Sequence, residues 1–114
     1  MIIRLSQEKP LAIVGCGTIG ASWAAYFLSK GLPVVVYNHG DISQQAVFDR
    51  ISSYFPSLGS VDRQPQICND LKKTVTSAPL IIECAPENMT LKRRLIADIQ
   101  ENAPLEAIVA SNTS

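Results

Sequence analysis

The chain has 114 residues, a length that suits one domain with one core. Ten basic residues balance ten acidic ones and 46% of the residues are hydrophobic, which reads as a soluble globular class and gives nucleic-acid binding no electrostatic support. No apolar run is long enough to span a bilayer, and Met1-Ile2-Ile3-Arg4-Leu5 is too short and too soon interrupted for a secretory signal. Cys16, Cys68 and Cys84 are odd in number and widely spaced, so neither a disulfide framework nor a metal-ligand pattern fits. A reducing cytoplasm is the expected compartment.

Residues 11–14 read as a buried parallel strand, an apolar run bounded by Pro10 and Gly15. Gly15-Cys16-Gly17-Thr18-Ile19-Gly20 follows at once and leads into a helical pattern over 18–30. Strand, glycine turn, helix is the order in which Gly-x-Gly-x-x-Gly becomes a credible dinucleotide site. Gly15 lets the chain turn sharply, Gly17 lets backbone approach a pyrophosphate, and Gly20 lets the helix pack tightly on the strand. The opening amides of the helix lack intrahelical partners and carry the positive end of its dipole, so an anion is favoured there. Ile19, Trp23, Phe27, Ala24 and Leu28 recur at steps of four, which makes Trp23 a packing residue, and Gly31 stands where a left-handed cap belongs.

The second strand is expected over 33–38, rich in β-prone valines. A dinucleotide fingerprint wants an acid at its end, bonded to the adenosine ribose. Asn38 stands there, with Asp41 close enough to serve instead and no Arg following to hold a 2′-phosphate. NAD is therefore expected over NADP, with Asn38→Asp expected to tighten binding. His39 reads as a solvated turn residue, because the adenosine end lies far from any hydride chemistry. A helix over 43–55 starts at the Ser43 cap and stops at Pro56. Residues 57–65 read as a polar turn, 66–68 as a short strand and 69–75 as a short helix capped by Asn69. Residues 80–84 form a fourth strand. A helix capped by Asn88 or Thr90 runs to about 102, burying Leu91, Leu95, Ile96 and Ile99, and residues 107–110 make a fifth strand. Strands alternating with helices specify an α/β, Rossmann-type doubly wound parallel sheet.

Five segments occur in order: Val14-Gly15-Cys16-Gly17-Thr18-Ile19-Gly20, Val35-Val36-Tyr37-Asn38, Ile82-Glu83-Cys84-Ala85-Pro86-Glu87-Asn88, Leu91-Lys92-Arg93-Arg94-Leu95 and Ala110-Ser111-Asn112-Thr113-Ser114. Together they resemble the NAD-binding domain of the 3-hydroxyacyl-CoA dehydrogenase family, which includes carnitine dehydrogenases and lambda-crystallin-like gulonate dehydrogenases. The resemblance implies that Gly15, Cys16, Gly17, Thr18, Ile19 and Gly20 hold the pyrophosphate of NAD and that Asn38 takes the ribose position. It implies that Glu87 and Lys92 lie on the nicotinamide-ribose side, and that Ser114 is the catalytic hydroxyl bonding the substrate's reacting oxygen. The implied substrate is a small hydroxy acid or an acyl-CoA, the free acid being better supported because the region after the second strand is short. The family's catalytic histidine, its acidic partner and its helical dimerisation domain follow the Ser-Asn-Thr-Ser segment, where this chain ends. The expectation is a single truncated NAD-binding domain spanning 1–114. It binds NAD without turnover and is able to self-associate through exposed apolar surface. A stand-alone, non-catalytic nucleotide module is the alternative.

Overall fold

The computed structural model describes residues 9–40, 42–84 and 89–111. Asp41, Glu87, Asn88 and Ser114, singled out above, lie outside them. Five strands alternate with four helices: β1 (Leu11–Val14), α1 (Thr18–Ser29), β2 (Val34–Tyr37), α2 (Gln44–Tyr54), β3 (Gln66–Cys68), α3 (Leu71–Val75), β4 (Leu80–Glu83), α4 (Met89–Asn102) and β5 (Ile108–Ser111). All strand pairs are parallel, in the order β3-β2-β1-β4-β5. The chain thus winds outward from β1 in one direction and then crosses to the other side. The reversal falls between β1 and β4, where open α/β sheets form a crevice outside the strand ends.

Every residue of β1 is buried, as a central parallel strand covered on both faces requires. Alternate side chains feed two separate cores. Leu11, Ile13, Val34, Val36 and Ile82 meet α1, α2 and Leu58 on one face. Ala12, Val14, Val35 and Ile81 meet Val75, Leu95 and Ile99 on the other. Each fully buried aliphatic side chain contributes about 1.5–3 kcal/mol, before the entropy of ordering it. Trp23 packs against the first core and stacks on Phe27 with ring centroids 5.7 Å apart, the packing role its spacing implied.

The structure corrects several details. Pro56–Ser60 is a short 3-10 helix that buries Leu58 completely, so this segment is more than a polar turn. The cap of α3 is Asp70, not Asn69, for its carboxylate accepts from Lys73 N–H at 3.2 Å. Thr90 lies inside α4 and so does not cap it. β5 runs one residue later than expected, with Leu80 paired to Ile108. Ser43 caps α2 through Ala46 N–H, and Gly31, at φ 79°, closes α1 as read.

Candidate dinucleotide site

Registers align the last residues of the strands into one row, Cys68, Tyr37, Val14, Glu83 and Ser111, and this row is the floor of the crevice. The chain leaves it at Gly15, whose φ of 122° is closed to ordinary side chains. Gly20 is pressed against the same turn: a Cβ there would stand 2.1 Å from the Gly15 carbonyl oxygen. Only glycine lets α1 approach β1 so closely. Gly17 behaves oppositely, since a Cβ there would meet no protein atom within 4 Å. The space before it opens outward, and both Gly17 and Thr18 are exposed. Gly17 is also the N-cap of α1. No side chain caps this helix and no acid occupies its first turn, so its positive end faces the crevice uncompensated by the protein. Arg50 on α2 donates from Nη1 to the Cys16 carbonyl at 2.8 Å and fixes the turn from outside. These residues fit a bound pyrophosphate: open room in front of Gly17, helical amides and a nearby cation.

At the end of β2, Asn38 is buried and its amide is committed to the loop. Oδ1 accepts from Gly40 N–H at 3.0 Å and lies 3.7 Å from Cys16 Sγ, and Nδ2 donates to the Ile42 carbonyl at 2.8 Å. A backbone donor on one side and a backbone acceptor on the other fix which end of the amide is which. His39 is exposed beside Tyr37, its Nδ1 3.3 Å from the phenol oxygen, two strands away from Glu83. It is not placed with the residues at the end of β4. A cavity of about 390 Å³ adjoins Asn38, lined also by Gly40, Ile42, Cys68, Asp70 and Lys73.

Across the switch point, Glu83 is wholly buried. Its Oε1 accepts from Ser111 Oγ at 2.9 Å and stands 3.5 Å from Lys92 Nζ in the first turn of α4. Burial, with the Glu83 charge beside it, pushes the Cys84 thiol up from an ordinary 9.0 to about 11. Cys84 is therefore a neutral thiol at physiological pH and a poor nucleophile. The sequence singled out Lys92, carried Glu83 and Ser111 only as members of longer segments, and gave Arg50 no role; the visible signal for Glu83 was a charged residue closing the apolar run of β4. The structure brings the glycine turn, Asn38 and Lys92 to one edge of the sheet, whereas Glu87 and Ser114 lie outside the described residues. Among the described residues no cluster of His, Cys, Asp or Glu forms a metal site, and no helix is long and apolar enough to cross a membrane.

Residues 10–114 match the family model described as 3-hydroxyacyl-CoA dehydrogenase, NAD binding domain. The chain belongs to this family. It is 34% identical over 117 residues to the 3-hydroxyacyl-CoA dehydrogenase of Gibberella moniliformis, covering 96% of this chain and 36% of that protein. It is 35% identical over 113 residues to the L-carnitine dehydrogenase of Bacillus cereus, covering 93% of this chain and 35% of that protein. Among solved structures, the 3-hydroxybutyryl-CoA dehydrogenase of Escherichia coli superposes with a TM-score of 0.77 at 26% identity, over 93% of this chain and 25% of that one. The chain thus spans about a third of the length of the curated relatives it matches. As an NAD-binding domain of this family it takes NAD as its cofactor, and the glycine turn and doubly wound sheet are the parts that make this possible.

Proposed function

We propose that this chain is the NAD-binding domain of an oxidoreductase that transfers hydride between NAD and a 3-hydroxy acid or acyl-CoA. The observation that carries the proposal is the uncapped, glycine-lined N-terminus of α1, open in front of Gly17 and set at the switch point of the sheet. NAD, when bound, supplies the hydride acceptor. The protein's part is to hold and orient it. Helical amides and Arg50 surround the pyrophosphate position, and the cavity beside Asn38 has the size to take the adenosine end. Lys92, with Glu87, serves the nicotinamide-ribose side, and Ser114 bonds the reacting oxygen of the substrate. A serine does not hold the alcohol proton at neutral pH without a base, and general-base catalysis supplies about 10²–10⁴-fold in rate. The chain alone therefore binds the cofactor and does not turn over. The fully exposed Leu105 and the exposed Val109 beside the β5 edge favour self-association, and three cysteines that form no disulfide among the described residues suit a reducing cytoplasm.

Titration calorimetry with NADH, followed by absorbance at the NADH band with carnitine, gulonate and 3-hydroxybutyryl-CoA in turn, tests this. NADH binding without turnover is the expected result. Absence of NADH binding overturns the cofactor assignment. Clear turnover by these 114 residues overturns the division of labour.

A further inference from the structure

We propose that Glu83 is a positioning residue that holds the Lys92 ammonium and the end of β5 on the nicotinamide side of the crevice; this rests on the dehydrogenase reading above. A carboxylate with no exposed surface loses its hydration at a cost of several kcal/mol. An apolar side chain of similar volume would fill the same place beside Val14 and Ile81 without that cost. Packing therefore does not account for an acid here. What the acid does is visible in its contacts, since one oxygen gathers groups from two further elements, Lys92 of α4 and Ser111 of β5.

The location of Lys92 supports the same conclusion. The first turn of a helix disfavours cations, yet Lys92 stands in the first turn of α4, Arg93 and Arg94 follow it, and that turn holds no acid. Stability of the helix alone would choose the opposite charge. A cationic end at the crevice suits an anionic ligand, and Glu83 offsets its cost while fixing where the ammonium stands. Only 17% of the Lys92 side chain is exposed, so its reach is short and its direction set. Ser111, tied to the same oxygen, is the last residue of β5. One buried carboxylate thus fixes Lys92 of α4 against the end of β5. The pyrophosphate is held independently by the glycine turn on the other side of β1.

That separation supplies the test. NADH spans both halves of the crevice, whereas ADP lacks the nicotinamide ribose and engages only the half built by β1, α1 and β2. Glu83→Gln keeps the volume and an oxygen for Ser111 but removes the charge facing Lys92. Expected is a loosening of NADH on the order of tenfold, with ADP unchanged within about twofold. Lys92→Met should show the same split, and Glu83→Gln should add nothing further in that background. Ser111→Ala, a smaller change outside the charge pair, should loosen NADH less than Glu83→Gln does and leave ADP alone. It provides the reading if Glu83→Gln loses its cooperative melt. Parallel loosening of NADH and ADP, an unmoved ratio of the two, or an undiminished effect of Glu83→Gln in Lys92→Met overturns the proposal while leaving the cofactor assignment intact. Wild-type protein that binds neither probe overturns both.

Discussion

Replacing Asn38 by Asp reads the β2–α2 loop most directly. The wild-type amide accepts from Gly40 N–H and donates to the Ile42 carbonyl, at 3.0 and 2.8 Å. A carboxylate keeps the first bond, loses the second, and sets an oxygen against the Ile42 oxygen. The residue is only 5% exposed, so water does not readily take over. A buried polar group left without its partner costs about 1–3 kcal/mol, and we expect Asn38→Asp to lose that much at pH 7. Acid should return it. Protonation of the Asp restores a donor toward Ile42, so its folded pKa is raised above the unfolded value of about 3.9. The variant's stability is then fullest below that unfolded value and falls as pH rises through the folded one. Urea unfolding followed by Trp23 fluorescence at pH 7 and again near pH 4 measures the gap to wild type, which should narrow in acid. Calorimetry should show no gain in NADH affinity, contrary to the tightening the sequence pattern implies, because the side chain at 38 is already committed to the loop. An Asn38→Asp protein as stable as wild type at pH 7 that binds NADH more tightly would refute the reasoning and make this position a ribose ligand.

Gly17→Asp should abolish NADH binding by calorimetry yet leave urea stability within about 0.5 kcal/mol, because a side chain there meets no protein atom and Asp is a good N-cap. Gly20→Ala should do the reverse first: its Cβ collides with the Gly15 carbonyl, so stability in urea falls by about 1–3 kcal/mol and binding declines with the displaced turn. The Cys84 thiol ionises near 11 when folded and near 9.0 when unfolded, so its contribution is intact below pH 9 and lost as pH climbs through 11. Denaturation curves between pH 8 and 11 should show this alkaline loss reduced in Cys84→Ala.

The strands read at 11–14 and 80–84 were legible because an apolar run bounded by Pro10 and Gly15, or by Pro79 and Pro86, has few other readings, the second ending one residue early at Glu83. The glycine turn was legible because each glycine has its own steric reason, and two of these reasons appear as geometry at Gly15 and Gly20. Leu58 was hidden by its polar neighbours, since one apolar residue shows no period. Asn69 and Asp70 are both cap-forming residues, and only the backbone decides between them. The pairing of Glu83 with Ser111 depends on a register between strands 28 residues apart in sequence, which local patterns do not contain. Asn38 directly follows β2, as the strand pattern implied, but what its amide bonds to is set by the path of the loop beyond it.

The strand order carries a consequence for how the molecule assembles. β1 pairs with β2 across a short connection, Ala12 with Val35, but with β4 only across the long one, Ala12 with Ile81. Closing the longer loop costs about 1 kcal/mol more in chain entropy. The β1–α1–β2 unit, which contains the whole glycine turn, is therefore the cheaper nucleus, and the β1–β4 seam is the later closure. By that measure the glycine turn closes at a lower entropic cost than the nicotinamide side. A ligand spanning both sides bridges the seam that closes last and, by binding, disfavours its reopening.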